Sequence, residues 1–357
     1  MTERTKVAVA MSGGVDSSVA AALLKEQGFD VVGMMLRLWS EQGRDDSNRC
    51  CAPESVALAR RVAAQLEIPF YVVDAKDAFR ATVVQAFLDG YGRGETPNPC
   101  LQCNRKIRWT LLLEHALALG AELMATGHYA RLEPDPRGKL RLLRARDLAK
   151  DQSYVLHVLN QDQLRRAVFP LGDRSKTEVR RLAALRSLPT ATRHDSQDLC
   201  FLAGDDYRHF LRRNRPEMLV PGTIVDLQGQ VLGEHAGLAN YTIGQRKGLQ
   251  VHSQAPMYVV RKEIAANRLV VGTQVELGAG SLMAADVNWL AGEPMPGPFR
   301  AQVKTRYTAT EKPALVTPLD EGGWVRIAFD QQQRDITPGQ AAVFYVGEAV
   351  LGGGIIQ

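Results

Sequence analysis

An α/β protein is predicted, with a parallel-sheet domain first, a small β-rich domain next and a C-terminal β-barrel last. Three observations predict it. Apolar runs of strand length alternate with alanine- and leucine-rich helical stretches through the first third of the chain. Glycine- and hydroxyl-rich turns follow several of those runs. From about Asp205 the pattern changes to short apolar runs broken by Gly and Pro turns. At 357 residues the chain is long for one domain, and residues 1–205, 206–275 and 276–357 are assigned to the three.

The elements follow in order. Lys6 to Met11 reads as a buried strand, and Val15 to Leu24 as a helix. FDVVGMMLRLW is a second strand, the polar SEQGRDDSNRCC a loop, and Glu54 to Leu66 a helix. IPFYVVDA is a third strand and Asp77 to Tyr91 a helix. GETPNPCLQCN is a turn-rich loop ahead of a helix from Lys106 to Leu119, and AELMATGHYAR supplies a fourth strand with its outgoing loop. Such an alternation makes a parallel sheet covered on both faces, with ligands at the carboxyl ends of its strands. SGGVDSS, LRLW and TGHY all fall there. LEPDPRGKLRLLRA is a hairpin, followed by an arginine-rich helical pair and a helix over Asp206–Asn214. PGTIVDLQGQVLGEH is two strands around a Gly turn, and YTIGQRKGLQV and APMYVVRKEIAANRLVVG are short strands and turns. From Ala284 the runs FRAQVKTRY, ALVTPL, GWVRIAF and QAAVFYVGEAVLGGGII suggest a small barrel. LGGGII is taken as its closing strand, because no helix follows to make it a phosphate loop.

Apolar residues make up 45% of the chain, enough for true cores. No run of ~18 apolar residues suggests a membrane span. MTERTKVAV lacks the apolar segment of a signal peptide. A cytoplasmic location with no membrane partner is expected. The net charge of +5 is a mild bias toward polyanions. Arg131, Arg137, Lys139, Arg141, Arg144, Arg146 and Lys150 crowd one segment, and Arg165, Arg166, Arg174, Lys176, Arg180, Arg181 and Arg186 follow. A solvated helix face and a nucleic-acid track both fit them, and both fit the turn Gln245, Arg246 and Lys247.

SGGVDSS is the first stretch that carries chemistry. Gly13 and Gly14 let the backbone turn sharply and approach a ligand. The loop delivers its amides into a helix N-terminus, where an anion is favoured. Ser12, Ser17 and Ser18 add hydroxyls. The loop lacks the lysine of a Walker motif. Asp16 beside phosphates makes sense if it holds Mg²⁺ or positions a departing pyrophosphate. The loop resembles the PP-loop of the ATP pyrophosphatases, whose fold is adenine nucleotide alpha hydrolase-like. That resemblance implies ATP cleavage between the α and β phosphates and adenylation of a carbonyl or carboxylate oxygen.

The five cysteines are Cys50, Cys51, Cys100, Cys103 and Cys200. Their odd number argues against a disulfide framework. Cys100 and Cys103 form a CxxC just before a predicted helix. Zinc would need two further ligands, and no second pair at suitable spacing exists, so no metal site is assigned. A redox pair is a second reading, and pairing of one of these thiols with the distant Cys200 a third.

Taken in order, SGGVDSS, TPNPCLQCN, ATGHYAR, AKDQSY, DSQDLCF, YTIGQRKGL, PGQAAVFY and LGGGII resemble the tRNA-specific 2-thiouridylases of the MnmA type over essentially the whole chain. The resemblance implies an enzyme that uses ATP to adenylate the 2-carbonyl oxygen of the wobble uridine in lysine, glutamate and glutamine tRNAs. A cysteine persulfide then delivers sulfur, and AMP leaves. By motif position Cys103 matches the nucleophile and Cys200 the persulfide carrier. Met11, Ser12, Gly13, Gly14, Val15, Asp16, Ser17 and Ser18, with Leu36 and Gly127, match nucleotide-contacting positions. Asn98, Pro99 and Cys100 match the segment that meets the target base. His128, Lys150, Asp151, Gln152, Arg306, Tyr307 and Gln340 match tRNA-contacting positions. A Cys103–Cys200 disulfide would form in each turnover, and a reductant must undo it. A cysteine desulfurase or sulfur-relay protein is the implied partner.

Two departures matter. Some relatives carry an acid where this chain has Cys100, which leaves that catalytic role open. Cys100, Cys103 and Cys200 also make a three-thiol set suited to a [4Fe–4S] cluster, ranked below the persulfide route. Cys50 and Cys51 match no family role and read as surface-loop residues. The rival reading is a PP-loop ligase or amidotransferase acting on a small molecule.

Overall fold

The structure is a computed structural model that describes residues 4–41, 52–194, 199–202, 204–253, 255–319, 323–334 and 336–357. Cys50 and Cys51 lie outside the described residues. No described helix is long and apolar enough to cross a membrane.

The first domain is built as its alternation predicts. Strands β1 (Lys6–Ala10), β2 (Asp30–Arg37), β3 (Phe70–Asp74) and β4 (Leu123–Thr126) are all parallel. Helix α1 (Val15–Glu26) follows β1, and α2 (Pro53–Gln65) follows β2. β5 (Ala130–Pro134) and β6 (Leu140–Arg144) form the expected hairpin. A two-residue strand, β7 (Ala167–Val168), adds a fifth member, and the sheet order is β3-β2-β1-β4-β7. That strand sits inside the arginine-rich region and is too short to leave a period in the sequence.

One expectation about the helices is corrected. The CxxC does not precede its helix but lies in it. Asn98 caps the helix by accepting from the Cys100 amide at 3.1 Å, and Pro99 occupies the first turn. The chain then stays helical through Pro99–Gln102, a π-helical stretch Cys103–Leu112, and Leu113–Ala118. Asn98-Pro99 thus starts a helix where a turn is expected. The Lys76–Gly92 helix carries a similar π-helical stretch, Arg80–Val84.

The middle domain holds β8 (Gly222–Val225), β9 (Val231–His235), β10 (Tyr258–Glu263) and β11 (Arg268–Gly272) in the order β10-β11-β8-β9. YTIGQRKGLQV forms no strand; it is an irregular stretch whose Tyr241 and Leu249 fill this domain's core. In the last domain β12 (Ala279–Trp289), β13 (Phe299–Lys304), β14 (Lys312–Pro318), β15 (Val325–Gln333), β16 (Ala341–Val346) and β17 (Ala349–Ile356) close a six-stranded barrel through β12–β17 pairing. β12 is the longest strand, and it begins before the expected barrel start at Ala284. LGGGII is the closing strand, as predicted.

The domains are joined at their cores. The first domain's hairpin extends the barrel sheet, with Leu142 and Leu143 paired to Val350 and Ala349. Trp109, Tyr154 and Leu156 share one apolar cluster with Val343 and Tyr345. Part of the basic segment is spent on this joint. Arg144 grips Glu311 and lies 3.9 Å over the Tyr345 ring, Arg131 pairs with Glu348 at 2.7 Å, and Lys139 pairs with Glu293 at 2.8 Å.

Candidate active site

SGGVDSS links β1 to α1 at the carboxyl end of the sheet. Met11 is buried, and its amide donates to Met34 O at 2.7 Å, which fixes where the loop leaves the sheet. Ser17 Oγ accepts from the Ser12 amide at 3.1 Å, and Ser18 Oγ donates to Gly14 O at 2.8 Å. Gly13 has φ +70°, and a Cβ there would strike Ser55 O at 2.4 Å. Gly127, after β4, packs on the same loop, where a Cβ would meet Ser17 N at 2.7 Å. Leu36 lies near the end of β2, packed against two apolar clusters.

The Asp16 carboxylate is already held. Lys176 Nζ lies 2.7 Å from each of its oxygens, and Tyr129 Oη donates to Oδ1 at 2.8 Å. The lysine absent from the loop thus arrives from the start of the helix Lys176–Leu185. Among the described residues no three His, Cys, Asp or Glu side chains could hold a metal ion. Among the described residues, then, nothing supports a carboxylate site for Mg²⁺ at Asp16 or a [4Fe–4S] cluster on Cys100, Cys103 and Cys200.

Beside the loop lies a cavity of about 820 Å³. Asn98, Cys100, His128, Gln152 and Tyr307 line it, together with Tyr207 and Arg208. Arg108 Nη1 donates to Asn104 Oδ1 at 2.6 Å and faces His128 Nε2 at 3.4 Å. Asn104 Nδ2 is anchored on Val155 O at 3.1 Å. Burial first, and the Arg108 charge second, hold the His128 imidazole well below its ordinary range. The ring is neutral, with Nε2 turned to a guanidinium, so Nδ1 carries the proton toward Thr126 Oγ1 at 2.8 Å. Burial also raises the Tyr307 phenol, and Asp151 and Cys100 add to the rise.

Cys100 is exposed on the cavity wall, whereas Cys103 and Cys200 are half-buried against one apolar cluster. Cys200 opens the turn Cys200–Leu202, and its neighbour Phe201 is wedged between Phe87 and Phe210 at 5.2 and 5.4 Å. Leu199 and Leu202, on either side of that pair, line the cavity.

The other domains hold the cavity wall. Thr96 N donates to Pro338 O at 2.8 Å, and Gln340 Nε2 donates to Thr96 O at 2.6 Å. The loop that enters the Cys100 helix is thereby bound to the barrel. Arg306 ties the barrel to the middle domain by donating to Ile243 O at 3.1 Å and to Thr337 Oγ1. Asp151 is buried, accepting from Ala145 N at 2.9 Å and Ser153 Oγ at 2.7 Å. It braces the loop that presents Lys150 and Gln152. Gln152 in turn accepts from Tyr129 N at 3.1 Å.

Lys176, Tyr129, Arg193, Asn104 and Arg108 were missed as site residues. Lys176 was visible only as one cation in a basic run, while Tyr129 and Asn104 stood inside quoted motifs without a chemical reason to be chosen.

The tRNA methyl transferase HUP domain family matches residues 5–204, the tRNA methyl transferase PRC-barrel domain family residues 208–273, and the aminomethyltransferase beta-barrel domain family residues 279–356. The chain is 47% identical to the tRNA-specific 2-thiouridylase MnmA of Desulfitobacterium hafniense, covering 100% of this chain and 99% of that protein. The MnmA of Chloroflexus aurantiacus is 49% identical, over 98% of each chain. The MnmA of Magnetococcus marinus is 46% identical, over the whole of both. Among solved structures, a 4-thiouridine synthetase–RNA complex with bound ATP matches at 16% identity over 60% of this chain and 51% of that one, with a TM-score of 0.36, too slight a likeness to carry a conclusion.

Proposed function

Because the chain belongs to the family of MnmA tRNA-specific 2-thiouridylases, we propose that its cavity receives the wobble uridine of the lysine, glutamate and glutamine tRNAs. It is an ATP-dependent tRNA sulfurtransferase. The observation that carries the reading of the site is the adjacency of the two halves: His128 follows Gly127, which packs on the SGGVDSS loop, and lines the cavity with Cys100. A base that enters there would lie between the ATP cradle and the thiols.

Stacked anticodon bases are out of reach, so the uridine is flipped into the cavity. Tyr307, exposed on the cavity wall, offers it an aromatic ring. The 2-carbonyl oxygen attacks the α-phosphorus, an O–P bond forms and pyrophosphate leaves. Ser12 to Ser18 hold the departing phosphates, and Lys176, swung from Asp16, neutralises the charge that develops on them. Mg²⁺ would travel with the ATP phosphates. The terminal sulfur of a Cys200 persulfide then bonds to C2 and AMP leaves with the original oxygen. Cys103 attacks Cys200 Sγ, which releases the thiocarbonyl sulfur and forms the Cys103–Cys200 disulfide. Alternatively Cys103 attacks first, and the hydrosulfide it frees adds to C2. In both routes a dithiol reductant restores the cysteines. Asn98, Pro99 and Cys100 shape the base pocket, while Lys150, Gln152, Arg306, Tyr307 and Gln340 set the tRNA-facing rim, with Asp151 bracing it from below. A cysteine desulfurase or a relay protein loads Cys200, and the reaction takes place in the cytoplasm, with the tRNA.

The test is thiolation of unmodified glutamate tRNA with Mg-ATP, cysteine and a desulfurase, read on a mercury-containing gel that retards thiolated RNA. Retardation is expected to need ATP, Cys103 and Cys200. AMP formation without retardation would mean that the loop serves a different acceptor.

A further inference from the structure

The shape of the ATP cradle traces to a residue outside it. Arg193 Nη1 donates to the Gly13 carbonyl at 2.7 Å, and Nη2 donates to Ser55 Oγ at 2.7 Å. Ser55 is fully buried in the first turn of α2, and its carbonyl is the atom that a Cβ on Gly13 would strike. One guanidinium thus joins the loop, α2 and the segment after the helix Lys176–Leu185. That segment is itself fastened. Arg193 N donates to Thr190 O at 3.1 Å, and Arg180 Nη1 donates to Arg193 O at 3.1 Å.

The geometry of one peptide plane gives this contact its consequence. The Gly13–Gly14 bond is trans, so its carbonyl and its N–H point in opposite directions. Holding the Gly13 carbonyl on Arg193 turns the Gly14 N–H away from it. The hydroxyl of Ser12 lies on that far side, 3.4 Å from Gly14 N, beside the opening of α1 where an anion is received. A glycine pair has little steric resistance to a peptide flip. A flipped plane would present an oxygen to the phosphates in place of a donor.

We propose that Arg193 is a positioning residue of the nucleotide site, one that holds the Gly13–Gly14 peptide with its N–H toward the ATP phosphates. The proposal rests on the reading of SGGVDSS as an ATP cradle. It does not place Arg193 on the phosphates, since both of its bonds run to the rear of the loop.

The experiment is calorimetric binding of an α,β-methylene ATP analogue to the full-length protein, with Arg193→Ala, Arg193→Lys and Ser55→Ala beside the wild type. Arg193→Ala is expected to weaken binding about tenfold to a hundredfold, the usual effect of losing a charge-assisted bond. Arg193→Lys should restore part of the affinity, and so should guanidinium ion added to Arg193→Ala at a non-denaturing concentration. Ser55→Ala, which leaves the Gly13 bond in place, should bind nearly as wild type. Wild-type affinity in Arg193→Ala overturns the proposal. So does weakened binding that neither lysine nor guanidinium restores and that follows a fall in thermal midpoint, because that is a folding defect. A wild-type protein that does not bind the analogue overturns the cradle reading itself.

Discussion

Lys176 Nζ sits 2.7 Å from both carboxylate oxygens of Asp16, with Tyr129 Oη on the same carboxylate at 2.8 Å. A cation that the loop sequence lacks is therefore supplied from a helix 160 residues away. In this state the pair neutralises itself. When phosphates enter, the ammonium has a stronger partner, and Asp16 retains Tyr129. Lys176→Met should lower the rate of pyrophosphate release in the presence of tRNA about a hundredfold, the scale of losing one preorganised charge at a leaving group. Steady-state release at saturating ATP checks this, and an unchanged rate would remove Lys176 from the chemistry.

Gly127→Ala should damage ATP use without unfolding the protein. Its Cβ would come 2.7 Å from Ser17 N and 2.9 Å from Asp16 C, both backbone atoms with no side-chain torsion to yield. Overpacking of this kind costs about 1–3 kcal/mol. The expected result is a raised KM for ATP with a far-ultraviolet spectrum like that of the wild type.

Phe201→Ala should uncouple the two half-reactions. Phe201 contacts Phe79, Phe87 and Phe210 with ring centroids 6.1, 5.2 and 5.4 Å away. Emptying that site costs about 3–5 kcal/mol and frees the neighbouring Cys200 from its anchor. Sulfur transfer should fall while tRNA-dependent pyrophosphate release persists; Phe201→Leu, which refills most of the volume, should recover transfer. Equal loss of both half-reactions in a folded variant would refute the anchor.

Acid should weaken the protein through two histidines. Burial pushes the His157 imidazole down to about 4, and burial with Arg108 holds His128 well below its ordinary value. Between those values and the unfolded 6.5, the unfolded chain binds more protons than the folded one. Stability is therefore complete above about pH 6.5 and is lost as pH falls toward the folded values. For His157 alone the loss is on the order of 3 kcal/mol by pH 4. His157 packs at the joint with the barrel, where a Cβ on Gly353 would touch its ring at 2.8 Å. Urea midpoints measured from about pH 7.5 down to about pH 5 should fall, and His157→Gln should flatten the slope. A flat wild-type profile would contradict the burial argument.

The parallel sheet, the SGGVDSS loop and the barrel-closing LGGGII were legible because each leaves a local mark: a strand-length apolar run, paired glycines with hydroxyls, a terminal strand with no helix after it. The helical setting of Cys100 and Cys103 was missed although its signal, Asn98 then Pro99, was present; the same two residues also open turns. β7 spans two residues and leaves no period to read.

By itself the sequence determined the alternation of the first domain, the closing strand of the barrel and the family, because these are properties of adjacent residues. Tertiary structure alone decided the pairing of Asp16 with Lys176, the hold of Arg193 on Gly13, and the clamp of Gln340 on Thr96. Those contacts join residues 160, 180 and 244 positions apart. A charge or an amide carries no record of its partner until the chain has folded. The basic run from Arg131 to Lys150 shows the same limit, since composition could not reveal that Arg131, Lys139 and Arg144 face acids of the barrel.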